Sequence, residues 1–358
     1  MRRILVVVGA RPNFVKVAPL IHALQTVGDL DIRLLNTGQH YDRALAGSFL
    51  ELLHFPRADY ELEVGSGSHA EQTAAVLIGA ERVLVECAPD LVVVAGDVNS
   101  TMATALAAAK LHVPVAHVES GLRSRDRAMP EEINRIVTDA IADLLLCTSA
   151  DAVENLHGEG IADDHIACVG NTMIDSLLAL EPAAAELDAI EQRGLEPYRY
   201  ALVTLHRPSL VDQPSLLEAA LDVLTDFAQR MPVVFPVHPR TRVARRAPGL
   251  HIIEPLEYLE FVALMREARV VVTDSGGVQE ETSVLGVPCL TYRATTERPV
   301  TIERGTNRLV DAEPAVLRKA LEDELSRSFA SPPARPSIPL WDGHAGNRAA
   351  LAIQEWIA

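Results

Sequence analysis

Along its whole length this chain alternates short β-branched apolar runs with helix-length amphipathic segments, the pattern of βα units that build a parallel sheet. In the first half the runs predict strands at 4–8, 32–36, 91–94, 115–118, 144–147 and 165–169. In the second half they predict strands at 200–204, 233–237, 251–253, 270–273, 288–291 and 307–310. Each half therefore carries a similar doubly wound set, and 358 residues suit about two domains. Hydrophobic residues at 48% with only 4% aromatic give cores of Val, Leu, Ile and Ala, as buried parallel sheets require. Residues 181–197, rich in Ala and Glu, predict a helix and a hinge. Residues 330–339 read as a proline-rich extended connector, and 349–357 as a terminal helix.

The formal charge of −17 argues against nucleic acid or an anionic membrane surface as partner, since both need clustered positive potential. Four cysteines without CxxC spacing read as small core residues of a reducing compartment. Arg11 interrupts the opening apolar run too early for a signal peptide. No stretch approaches the roughly 20 apolar residues of a membrane span. A cytoplasmic protein is expected.

Asp274 to Arg298 read DSGGVQEETSVLGVPCLTYRATTER. A buried strand is followed directly by Gly276 and Gly277 and then by an amphipathic helix, so backbone amides at the helix start can approach an anion. Ser275 adds a hydroxyl donor, and Glu281, about one turn in, suits the two ribose hydroxyls of a nucleotide. An ordinary strand–Gly-Gly–helix turn accounts for SGG alone, and its neighbours shift the balance toward a nucleotide diphosphate. Ligands of open α/β sheets sit beyond the carboxyl ends of strands. GAR, TGQH, AGD, ESGLR, GN, HR, HPR and DSGG each follow a predicted strand end.

These segments resemble, in order, the motifs of the non-hydrolysing UDP-N-acetylglucosamine 2-epimerases: GARPNFVKVAPL, Gly96-Asp97, HVESGLR, PEEINR, GNTMID, His206-Arg207, DSGGVQEE and TTERP. The resemblance implies an α/β fold of two Rossmann-like doubly wound parallel-sheet domains facing a cleft, of glycosyltransferase-B type. Residues 1–175 would form the first domain, with 341–358 packing back on it, and 176–340 the UDP-binding domain. It implies reversible C2 epimerisation of UDP-N-acetylglucosamine to UDP-N-acetylmannosamine, by anti elimination of UDP to a glycal and syn re-addition. No cofactor and no metal are expected, in line with the lack of GxGxxG or a Walker loop. The expected partner is the UDP-sugar, in a homodimer.

By the same resemblance Asp97, Glu119 and Glu131 stand at the family's catalytic carboxylate positions and His206 near the diphosphate. Read singly, Asp97 could cap a helix, Glu119 could pair with Arg123, and Glu131 could favour a helix start. Arg135, four residues after Glu131, is placed to hold it. Arg11, Lys16 and Arg298 are expected on phosphate or sugar, and His238 and Phe261 around the uridine. Gln39 and His40 match a regulatory second UDP-sugar site, whose further Gln is absent at the matching place. Asn13 replaces a Glu after RP, and HRPSLVD replaces an HRRE-type loop. Alternatives are a related UDP-2-acetamido sugar, a hydrolysing epimerase, a UDP-sugar transferase of the same fold, or a catalytically silent nucleotide-sugar sensor.

Overall fold

A computed structural model describes residues 1–38, 51–237, 247–329 and 331–358, apart from the side chains of Arg11, Pro208 and Ser209. The expected positions Gln39, His40 and His238 lie outside the described residues. Two compact units form, Met1–Ala179 with Pro339–Ala358, and Leu180–Ile338.

The first unit holds strands β1 (Arg2–Val8), β2 (Leu30–Asn36), β3 (Tyr60–Glu61), β4 (Leu91–Ala95), β5 (Val115–Ser120), β6 (Leu144–Cys147) and β7 (Ile166–Cys168). They make one parallel sheet in the order β3-β2-β1-β4-β5-β6-β7. Alternate residues of β1 face opposite sides, as a period of two dictates. Ile4, Val6 and Val8 pack with Leu20, Ile21 and Leu24 of the helix Arg11–Thr26, and with Ile353 of the terminal helix Ala345–Ile357. Leu5 and Val7 pack with Ala80 and Leu84 of His69–Cys87 and with Ala105 and Ala108 of Asn99–Lys110. Both faces of β1 are thus covered, which is why its residues 4–8 are apolar throughout.

The second unit holds β8 (Ala201–Thr204), β9 (Val233–Pro236), β10 (Leu250–Ile253), β11 (Val270–Thr273), β12 (Cys289–Thr291) and β13 (Asn307–Leu309). Their order is β10-β9-β8-β11-β12-β13, again parallel. Val203 and Val272 meet Leu221 and Leu224 of Pro214–Ala228 and Leu317 and Leu321 of Pro314–Ser326. Numbered within its own unit, the first sheet runs 3-2-1-4-5-6-7 and the second 3-2-1-4-5-6, the doubly wound order whose direction reverses between its first and fourth strands. The reversal falls between β1 and β4 in one unit and between β8 and β11 in the other. The expected fold class of two doubly wound parallel sheets is what forms.

Two details differ from the sequence-based expectation. The two-residue edge strand β3 is too short to leave a periodic signal. Strand β5 runs two residues past 118, through Glu119 and Ser120, with an irregular register between Val118 and Ser120. Residues 181–197 hold the end of the helix Thr172–Ala185 and a 3-10 turn at Glu191–Arg193. Among the described residues no helix is long and apolar enough to cross a membrane.

Candidate active site

At the reversal of the first sheet, Gly96 leaves β4 with φ +66° and carries Asp97. A Cβ at Gly96 would lie 2.8 Å from Lys16 Nζ and 3.2 Å from Glu119 Oε2, so only glycine lets this turn press against those charges. Lys16, on the first helix, forms a buried ion pair with Glu119 at the end of β5. Asp97 forms an ion pair with the buried Arg135 of the helix Pro130–Ile141. Each of these carboxylates therefore faces a cation from a neighbouring element.

The expected grouping needs correction in its partners. Arg135 is held by Glu132, whose Oε2 accepts from Nε at 3.1 Å and from Nη2 at 2.8 Å, and not by Glu131. Positions three and four apart both adjoin on a helix, and burial decides: Glu132 is 1% exposed whereas Glu131 lies on the half-buried side. Burial alone would raise the Glu132 carboxyl, but the Ser124 amide and the Arg135 guanidinium hold it below the usual carboxylate range. Glu131 stands in the first turn of that helix and takes part in none of these ion pairs. Arg123 does not meet Glu119; it pairs with Asp139 and, through two 2.7 Å bonds, with Glu159. The helix after Asp97 has Val98 at its N-cap, so Asp97 is not its cap.

Asn13, the departure after RP, closes the first turn. Its Oδ1 accepts from the Gly9 and Ala10 amides at 3.1 and 3.0 Å, and its Nδ2 donates 2.8 Å to the Ala95 carbonyl. An amide does both where a carboxylate could only accept. Lys16, expected on phosphate, is engaged with Glu119.

At the reversal of the second sheet, the helix Gly276–Leu285 starts directly after β11. Ser275 is its N-cap and makes no side-chain capping bond, which leaves the first-turn amides to an incoming acceptor. A Cβ at Gly276 would meet Arg298 Nη1 at 2.5 Å and Glu297 Oε1 at 2.8 Å, so the Arg298 guanidinium lies against this helix start. Arg298 forms ion pairs with Glu280 at 2.8 Å and Glu297 at 2.5 Å. Glu297 also meets Arg293 at 2.8 Å and Arg207 at 3.6 Å. Burial opposes its charge, yet Arg298, Arg293 and Arg207 together hold its carboxyl well below the usual range. One buried carboxylate thereby fixes three guanidinium groups beside the helix start.

Asp274, 1% exposed, accepts from the His206 amide at 2.9 Å and the Arg207 amide at 2.8 Å. Its Oδ1 lies 3.1 Å from His206 Nδ1, which leaves Nε2 of the exposed imidazole as the nitrogen available to a ligand. Glu281 is buried, and burial pushes its carboxyl up to about 7 against the lowering effect of the Tyr258 hydroxyl, which donates to Oε1 at 2.7 Å. Phe261 is half-buried on the helix Tyr258–Arg266, the same helix as Tyr258. The second unit thus gathers His206, Arg207, Asp274, Ser275, Gly276, Gly277 and Arg298 around one strand-to-helix junction. Glu281 sits farther along that helix.

Asn13, Glu132, Tyr258, Asp274, Glu280 and Glu297 escaped the sequence reading as functional supports. For Asp274 and Glu297 a signal existed, an acidic residue next to the glycine pair and next to Arg298. Tyr258 and Glu280 meet partners far apart in sequence, whereas Glu132 and Asn13 bond near neighbours that only the folded turn selects.

Two doubly wound α/β units, each with a charged cluster at its reversal point, define a Rossmann-like two-domain protein. The family description UDP-N-acetylglucosamine 2-epimerase matches residues 22–354. A UDP-N-acetylglucosamine 2-epimerase of Methanocaldococcus jannaschii is 40% identical over 337 residues, which span 90% of this chain and 92% of the relative. A UDP-2,3-diacetamido-2,3-dideoxy-D-glucuronate 2-epimerase of Pseudomonas aeruginosa is 37% identical and covers 99% of each chain. The crystal structure of the Methanocaldococcus jannaschii UDP-GlcNAc 2-epimerase in complex with UDP-GlcNAc and UDP matches with a TM-score of 0.89, at 37% identity, over 99% of each chain. The chain belongs to the UDP-N-acetylglucosamine 2-epimerase family.

Proposed function

We propose that this protein interconverts UDP-N-acetylglucosamine and UDP-N-acetylmannosamine by reversible loss of UDP. The C1–O bond to UDP breaks first, and the oxocarbenium ion so formed acidifies the C2 proton. A carboxylate takes that proton to give a glycal. UDP and a proton then add back, the proton from the opposite face. Asp97, Glu119 and Glu131 are the candidate proton carriers. The Gly276 helix start, Arg298 and His206 take the diphosphate charge, and Glu281 takes the ribose hydroxyls. Arg11 joins the phosphate contacts and Phe261 and His238 the uridine.

The observation that carries the reading is the pairing of Asp97 with Arg135 and Glu119 with Lys16 at one sheet reversal. Such pairs position carboxylates that a nucleotide-binding role alone would not require. Incubation with UDP-N-acetylglucosamine in deuterated water, followed by NMR, tests it. The expected result is UDP-N-acetylmannosamine with deuterium at C2 and the same label in recovered substrate. Free UDP appearing in step with free sugar, or no turnover without an added acceptor, overturns it. The Pseudomonas aeruginosa relative makes the diacetamido uronate the second substrate for the same assay.

A further inference from the structure

His117 and Asp139 form a pair that the chemistry above does not use, and both are fully enclosed, 0% and 1% exposed. His117 Nδ1 lies 2.6 Å from Asp139 Oδ1, and Nε2 lies 2.8 Å from the Gly96 carbonyl. A carbonyl can only accept, so Nε2 carries hydrogen. The Nδ1–carboxylate contact then holds a further proton, because two bare acceptors would repel at that distance. Asp139 Oδ2 accepts from the Gly121 amide at 3.0 Å and pairs with Arg123 at 2.7 Å.

The consequence is a continuous link from the Gly96 carbonyl through the imidazole and the carboxylate to the Gly121 amide. Gly96 is next to Asp97, and Gly121 is two residues from Glu119. The backbone at these points is unusual, with φ +66° at Gly96, +69° at Glu119 and +79° at Gly121. Left-handed backbone at a side-chain-bearing residue persists only where surrounding contacts hold it. The link holds both strand ends by backbone groups, the Gly96 carbonyl and the Gly121 amide.

We propose that His117 and Asp139 are positioning residues for C2 chemistry, which fix the separation and aim of Asp97 and Glu119 by tying the Gly96 turn to the Gly121 turn. The inference rests on the proposed epimerase reading. A displacement of about 1 Å in reacting groups can cost on the order of 100-fold in rate. His117→Leu removes both links, whereas His117→Gln keeps a donor that can reach the Gly96 carbonyl. Asp139→Asn keeps the volume and removes the charge that retains the shared proton.

The test measures kcat and KM for C2 epimerisation, C2 deuterium exchange and the Kd of UDP for the full-length wild type and the three variants. His117→Leu and Asp139→Asn should lose about 100-fold in kcat and in exchange, with KM and UDP Kd within about twofold. His117→Gln should recover at least tenfold over His117→Leu, or over Asp139→Asn if the leucine variant does not fold. A folded His117→Leu, or Asp139→Asn where the leucine variant fails, with kcat within about threefold of wild type overturns the proposal, as does loss confined to KM. Wild type that neither epimerises nor exchanges would instead sink the epimerase reading, so the two failures are distinct.

Discussion

Glu119 carries its carboxylate on a backbone of φ +69°, in the left-handed region that disfavours a side chain by about 1–2 kcal/mol. Its neighbour across the turn, Lys16, is buried and paired to it. Glu119→Ala and Glu119→Gly both remove the carboxylate and leave the same ammonium behind, so their difference isolates the backbone. Urea unfolding should find Glu119→Gly more stable than Glu119→Ala by about 1 kcal/mol, with C2 exchange lost in both. Equal stability would mean that the turn is not strained. Glu281 gives a pH dependence at the same scale. Its folded value of about 7 lies above the ordinary 4.5 because the group is buried. Between those values the folded protein holds a proton that the unfolded chain has released, so this group's share of stability falls as pH rises through the window and is constant above it. The acceptor form that ribose hydroxyls need grows as pH passes through the folded value of about 7. UDP affinity, measured by calorimetry, should therefore improve by roughly tenfold from about pH 6 to about pH 8, and Glu281→Gln should remove that term.

At the scale of elements, the junction of β11 with the Gly276–Leu285 helix depends on close approach. A methyl at position 276 would displace the Arg298 guanidinium or the Glu297 carboxylate that anchors it. Losing one charged hydrogen bond to a diphosphate costs about 1.5–3 kcal/mol. Gly276→Ala should weaken UDP binding by on the order of 10- to 100-fold while leaving thermal unfolding of the first unit unchanged; an unaltered Kd would remove Arg298 from the site. This junction was legible because a buried strand, two glycines and a helix occur within the sixteen residues 270–285. Strands β1, β4 and β6 were legible for a similar local reason: each buries a continuous apolar run. What the sequence hides is which side of a helix turns inward, and which residues pair at a distance. Glu132 outranks Glu131 as the partner of Arg135 only because the helix turns its 132 side inward. Asn13 acts on Ala95, Tyr258 on Glu281 and His117 on Asp139, and no spacing rule announces such contacts. The reach of β5 through Glu119 is hidden too, since a left-handed residue at a strand end has no compositional signature.

On the scale of the molecule, the chain returns at its end to the unit it began with, and specific residues explain how. Asp175, in the segment GNTMID, accepts from the Ala345 and Gly346 amides at 3.1 and 2.7 Å and so supplies the terminal helix with a cap from elsewhere in the chain. Burial pushes the Asp175 carboxyl up, against those two amides. Trp341 donates 2.9 Å to the Thr148 carbonyl, and Ala349, Ala350 and Ile353 enter the core that contains Ile4, Leu20, Ile21 and Leu24. The terminal helix is thus part of the packing that supports β1, whose far end leads to Asn13 and Lys16. Ile353 is completely buried, and truncating such a side chain costs about 2–5 kcal/mol. Ile353→Ala should speed amide hydrogen exchange in β1 and β4, read by mass spectrometry, while β8 and β11 keep their protection. C2 exchange should fall with the loosening of the first sheet. An equal loss of protection in both sheets would show that this helix does not serve the first unit's core alone, and an unchanged β1 would show that its contacts contribute nothing to holding that strand.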